Sequence, residues 1–183
     1  NQRATHDTVR YVITFRCSGI LSSVMREAAN QLVPVAEPTM AVVGWREVAH
    51  LPLLTPTLVR AKIDTGATTS AIHASGISIA HRADGEAFVS FTLHTTDQSD
   101  GQERVSGHPV VAFRFVRSST GEGEYRPVIR TALVIGQKNF EAEVSLTERE
   151  RMGYRMLIGR EALRGRFHID PEGSFLQGKI PKT

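Results

Sequence analysis

Apolar and polar residues alternate with a period of two through much of this chain. Val89, Phe91 and Leu93 interleave with Ser90, Thr92 and His94, and Phe140, Ala142, Val144 and Leu146 interleave with Asn139, Glu141, Glu143 and Ser145. Successive side chains of a strand point to opposite faces, so each pattern predicts a strand with one wet face. Two further apolar runs, Ala41 to Val48 and Leu58 to Ile63, flank a loop containing Pro52 and Pro56 and read as strands. The segments Pro109 to Val116 and Tyr125 to Ile135 are rich in β-branched and aromatic residues around the turn-forming stretch Ser118 to Glu124, which predicts a hairpin.

Thr147 to Gly153 suits a helical turn, Met156 to Ile158 a short strand stopped by Gly159, and Arg160 to Leu163 a short helix. Strands are expected again near Phe167 to Ile169 and Phe175 to Gln177. The sum is a mostly β domain with short helices, nearer to a barrel or sandwich than to a layered α/β fold. No internal repeat is visible.

The first forty residues read differently. Val9 to Phe15 suits a strand and Ser23 to Leu32 a short helix, before Pro34 and Pro38 interrupt. We read residues 1–40 as an N-terminal arm or a processing or cloning remnant, 41–178 as the functional domain, and 179–183 as a tail.

The strand Leu58 to Ile63 delivers Asp64 to a turn, Thr65-Gly66-Ala67-Thr68, followed by Thr69 and Ser70. A carboxylate that activates water must be held out at a tight turn, and a glycine there lets substrate or a second backbone approach. Asp-Thr-Gly alone arises by chance in roughly a few per cent of chains of this length. Its pairing with the downstream Leu157-Ile158-Gly159-Arg160 element is far more specific.

Water-activating chemistry of this type uses two carboxylates that share a proton, and the chain has one such turn. Asp64 must therefore meet its own copy across a two-fold axis, making a homodimer part of the mechanism. In that reading Asp64, Thr65 and Gly66 are catalytic, and Ala67 and Thr68 line the substrate floor. The hairpin tip Thr95 to Glu103, with Gly101 as pivot, is expected to be either a lid or an exposed turn between two strands. The competing reading has Asp64 only capping its turn, leaving a noncatalytic peptide-binding module.

Composition narrows the classes. The 183 residues carry 22 basic and 19 acidic side chains, interspersed, for a net charge of +3, which gives nucleic-acid or membrane-surface roles little support. Cys17 is the sole cysteine, so neither an intrachain disulfide nor a cysteine-cluster zinc site is available. No apolar run reaches the about eighteen residues of a membrane helix, and the start lacks a signal-peptide pattern. The expected compartment is the cytoplasm, or the periplasm if a leader has been removed. Neither a phosphate-cradling G-x-x-x-x-G-K-[ST] nor an H-E-x-x-H occurs. A zinc site would have to use His73 and His81 with His94 or His108, whose spacing enforces no geometry; no cofactor is expected.

Val42-Val43-Gly44-Trp45-Arg46-Glu47, Ala61 to Ala67, Ser70 to Ala74, Tyr125 to Thr131, Arg155 to Arg160 and Asp170-Pro171 together resemble a bacterial family that goes under the name of ATP-dependent zinc proteases. The resemblance covers residues 41 to 178. It implies a retropepsin-like (acid protease) closed β-barrel, a homodimeric aspartic peptidase with a peptide or protein substrate, and support of the Asp64 turn by Leu157, Ile158, Gly159 and Arg160. It also implies an association with ATP-grasp glutamate ligases or their products. The family usually has arginine where this chain has Thr68, and viral retropepsins have an aspartate there. Arg160 is thus expected to lack its local partner, and either to neutralise a carboxylate at the dimer interface or to cap a helix.

Overall fold

The computed structural model describes residues 40–96, 101–117, 123–148 and 153–178, and the readings made for residues 1–39 and 179–183 lie outside them. Among the described residues the strands are β1 (Ala41–Gly44), β2 (Arg46–Ala49), β3 (Val59–Ile63), β4 (Ser70–His81), β5 (Ala87–His94), β6 (Gln102–Pro109), β7 (Ala112–Arg117), β8 (Gly123–Ile135), β9 (Lys138–Thr147), β10 (Met156–Ile158) and β11 (Phe167–Asp170), with a short helix, α1 (Arg160–Leu163). The fold is mostly β, as the alternation predicts.

The main sheet runs β2-β3-β10-β4-β9-β8-β7, and β5 and β6 join it through β4. Residues Ser70 to His73 of β4 pair with β9, whereas Ala74 to His81 pair with β5. The change falls at a register shift between Ser75 and Ser78, where Gly76 has φ +58°. A bulge of this kind needs a residue without a Cβ to re-aim the strand.

The expected closed barrel does not form. The sheet curls until His50, just past β2, meets Val134 of β8 in one antiparallel bridge, each amide donating 2.9 Å to the other's carbonyl. Continuous pairing stops there because β2 is only four residues long and is followed by Pro52, which has no N–H to donate.

The expected single strand Ala41 to Val48 is two strands. The Trp45 amide donates to Gly173 O and its carbonyl accepts from Ile63, both at 2.9 Å. This sends β1 to β11, in a parallel pair, and β2 to β3. Phe175 to Gln177 is a turn rather than a strand, because the buried Glu47 carboxylate captures its amides: Oε1 accepts from Gly44 N at 2.7 Å and Leu176 N at 3.0 Å, and Oε2 from Gln177 N at 3.1 Å. Phe175 is held at φ 55°, a left-handed conformation that costs a residue with a Cβ roughly 1–2 kcal/mol. Hydrogen bonds to a charged acceptor stabilise by roughly 1.5–3 kcal/mol each, so Glu47 wins.

The core is built from the inward residues of these strands, led by Phe91, Leu51, Ile72, Leu133, Met156 and Ile158, all fully buried. Each such side chain contributes about 1.5–3 kcal/mol by leaving water. The C-terminal half of β9 departs from the expected wet face: Ser145 and Thr147 are buried along with Val144 and Leu146. The Ser145 hydroxyl is satisfied by donating to Ser70 O at 3.0 Å.

Candidate active site

Strand β10 is inserted between β3, which it pairs in parallel (Ile158 opposite Ile63), and β4, which it pairs antiparallel (Leu157 opposite Ala71). The Asp64 turn joins β3 to β4, so the chain entering and leaving it is splinted by β10. The Asp64 amide donates to Ile158 O at 2.9 Å, and beyond the strand Arg160 N donates to Ala67 O at 2.9 Å. Leu157, Ile158 and Gly159 therefore lie under the turn.

Gly159 is required by proximity. A Cβ there would lie 2.6 Å from the Thr69 carbonyl carbon and 2.8 Å from Thr68 O, both backbone atoms. Its amide donates to Ser70 Oγ at 3.2 Å, tying α1 to the first residue of β4.

Asp64 is half-buried, and Oδ1 accepts from Gly66 N at 3.0 Å and Ala67 N at 3.2 Å. These bonds fix the carboxyl plane and account for Oδ1, while among the described residues Oδ2 takes no protein donor. Thr65, Gly66 and Thr68 are exposed around it and Ala67 is half-buried.

Arg160 behaves otherwise than expected. Its Nη1 donates to Thr65 O at 2.7 Å and Gly66 O at 2.9 Å, and Nη2 donates to Thr68 Oγ1 at 3.0 Å. Thr68 thus supplies a local partner after all, and the planar guanidinium fork clamps the turn by its carbonyls. Carbonyl acceptors carry no signature in side-chain identity, so the residues alone could not reveal this.

A second arginine was missed entirely. Arg114 of β7 donates to Thr69 Oγ1, to Glu161 of α1 at 3.3 Å and to Glu143 of β9 at 2.5 Å. The β7–β8 hairpin is therefore attached to the site. At the tip between β5 and β6, Thr95 turns both its amide (2.7 Å) and its hydroxyl (3.0 Å) onto Gly101 O, and residues 97–100 lie outside the described ones. Arg114, Arg130, Glu143, Glu161 and Arg166 line a cleft of about 610 Å³ beside the turn. A smaller recess of about 240 Å³ lies against Thr65 and Arg160, with Leu163, Phe167 and Ile169 as apolar walls.

Two of the histidines weighed for zinc, His73 and His94, lie against each other. They stack with centroids 4.5 Å apart and planes 26° from parallel, so they present ring faces to each other rather than nitrogens converging on one point. His94 Nε2 is 2.7 Å from Ser75 Oγ and His73 Nδ1 is 3.3 Å from Thr147 O. Among the described residues no three His, Cys, Asp or Glu side chains form a metal-holding group.

The model of a family described as "Retropepsin-like aspartic endopeptidase RimB" matches residues 42–180. The chain belongs to this RimB-like family. The RimB-like chain is 42% identical over 141 residues to a "Probable alpha-L-glutamate ligase" of Parasynechococcus marenigrum, covering 76% of itself and 30% of that protein. It is 40% identical over 138 residues to one of the same name from Shewanella pealeana, covering 75% and 30%. The RimB-like chain therefore spans under a third of the length of these relatives. A crystal structure of a protein of unknown function from Legionella pneumophila is similar with a TM-score of 0.61 and 27% identity, covering 75% of the RimB-like chain and 98% of the other. Among the described residues no helix is long and apolar enough to cross a membrane.

Proposed function

We propose that this chain is an aspartic-type endopeptidase that works as a homodimer, each copy contributing one Asp64. The observation that carries the reading is a half-built site: Oδ1 is pinned by two turn amides, and Oδ2 is left to face a second carboxylate. Two carboxyl groups at hydrogen-bonding distance hold one proton between them.

In this mechanism the ionised Asp64 takes a proton from a water whose oxygen attacks the scissile carbonyl carbon. The protonated Asp64 gives its proton to the carbonyl oxygen, forming a neutral gem-diol. A hydroxyl proton then returns to one carboxylate, the C–N bond breaks, and the amine leaves with a proton from the other. The carboxylates and water balance the reaction, so no metal or nucleotide is needed.

Thr65 is exposed beside the apolar recess formed by Leu163, Phe167 and Ile169, which supports seating the second copy there. Gly66 keeps space for the substrate backbone, with Ala67 and Thr68 as floor. The relatives' names direct the choice of substrate toward peptides extended by glutamate, and we assign ligation itself to the parts of those relatives outside the shared segment.

The test combines sedimentation velocity with mass-spectrometric detection of cleavage of glutamate-extended peptides by the parent chain and Asp64→Asn. Expected are a dimer for both and cleavage by the parent only. A chain that cleaves as a strict monomer, or an Asn variant that cleaves at the parental rate, refutes the mechanism. Peptide binding without cleavage by both identifies the noncatalytic module.

A further inference from the structure

Among the described residues β7 ends the main sheet and pairs with β8, yet one of its side chains reaches the Asp64 turn. Arg114 Nη1 donates to Thr69 Oγ1 and to Glu161 at 3.3 Å, and Nη2 donates to Glu143 at 2.5 Å. Glu143 also accepts from Arg130 at 3.1 Å. Alternating charges thus run from Arg130 of β8 through Glu143 of β9 and Arg114 of β7 to Glu161 of α1. The series branches at Arg114, and the branch ends on the Thr69 hydroxyl.

Thr69 stands between the turn and β4. Its neighbours are held from β10 and α1, where Glu161 N donates to Thr68 O at 3.1 Å and Gly159 N to Ser70 Oγ at 3.2 Å. Arg114 adds a third hold, from a different part of the sheet. The two carboxylates fix the planar guanidinium in the orientation in which one Nη meets Thr69. Arg126, directly opposite Arg114 in the β7–β8 pair, turns to Glu124 at 2.6 Å and does not compete for these acids.

We propose that Arg114 is a positioning residue for Asp64, acting through Thr69. By fixing Thr69 it steadies the segment that carries the Gly66 and Ala67 amides, and their donation to Oδ1 sets the carboxyl plane. Both Nη atoms are committed to protein acceptors, so the role is to place the turn rather than to bind substrate. The β7–β8 hairpin and the carboxylate are thereby linked: a displacement of β7 is passed to the turn by one side chain. A misplacement of about 1 Å at a reacting group costs about a hundredfold in rate, so such a link bears on chemistry. That kinetic consequence rests on the peptidase reading, whereas the link itself does not.

The test compares the parent with Arg114→Met, Thr69→Val and the double variant. Thr69→Val removes the acceptor hydroxyl and leaves Arg114 with both acids, so it decides the matter if Arg114→Met does not fold. Hydrogen exchange followed by mass spectrometry on a fragment containing residues 64–70 reads the bracing of the turn without substrate. Each single variant should exchange there about tenfold faster than the parent, and adding Thr69→Val to Arg114→Met should accelerate it no further, because both delete one contact. On a peptide that the parent cleaves, kcat should fall about tenfold or more while KM changes by less than about twofold. Parental exchange in Thr69→Val, further acceleration in the double variant, or a raised KM with kcat intact would each overturn the inference. If no chain cleaves, the peptidase reading falls; faster exchange in both single variants still upholds the link, and parental exchange still overturns it.

Discussion

Replacing Gly159 by alanine tests whether the turn depends on close packing of β10 beneath it. The added Cβ would meet Thr69 C at 2.6 Å and both Thr68 O and Thr69 O at 2.8 Å. Ordinary contacts begin near 3.4 Å, so backbone on one side must retreat by more than half an ångström. Those atoms belong to the segment linking the Asp64 turn to β4, held by Glu161 N on Thr68 O at 3.1 Å and Gly159 N on Ser70 Oγ. Overpacking of this type costs about 1–3 kcal/mol, which for a domain of this size lowers Tm by roughly 3–12 °C. Gly153 is the matched control: among the described residues nothing lies within 4 Å of its Cβ position, and its φ is not in the left-handed range. Gly153→Ala should change stability by less than about 0.5 kcal/mol. Thermal melts followed by circular dichroism, with urea titration as a second measure, decide the matter. If Gly159→Ala melts with the parent, or if both substitutions cost the same, the packing argument is wrong.

Other substitutions probe different links. Glu47→Gln turns an amide NH₂ toward backbone donors and loses charge assistance on three hydrogen bonds; a loss of about 2–4 kcal/mol in urea unfolding is expected, and a loss under 0.5 kcal/mol would show that Glu47 does not hold the C-terminal turn. Arg160→Lys keeps the charge but cannot span Thr65 O, Gly66 O and Thr68 Oγ1. Peptide cleavage should fall about tenfold or more while Tm changes little, and parental turnover would remove Arg160 from the positioning role.

The parts of the fold legible in the sequence were those decided locally. Val89, Phe91 and Leu93 lie inward as their alternation requires, and Asp64 leaves β3 at the expected turn. What escaped depends on partners distant along the chain. Trp45 splits a continuous apolar run because its amide belongs to Gly173, and Glu47, a charged residue in a strand pattern, is buried because three amides converge on it. Barrel closure was misjudged because the pattern of a strand does not state how far its pairing continues: His50 and Val134 meet, and their neighbours part. At the site, the turn and its β10 support were readable as motifs. The grip of Arg114 on Thr69 was not, since nothing near either residue announces the other.

The threading of β10 between β3 and β4 also sets a timetable for synthesis. The carbonyl that receives the Asp64 amide belongs to Ile158, so a ribosome must finish more than ninety further residues before the acidic turn can be locked in place. Until then the nascent polypeptide carries its carboxylate on an unbraced loop. An interrupted product ending ahead of Met156 should accordingly never brace that turn.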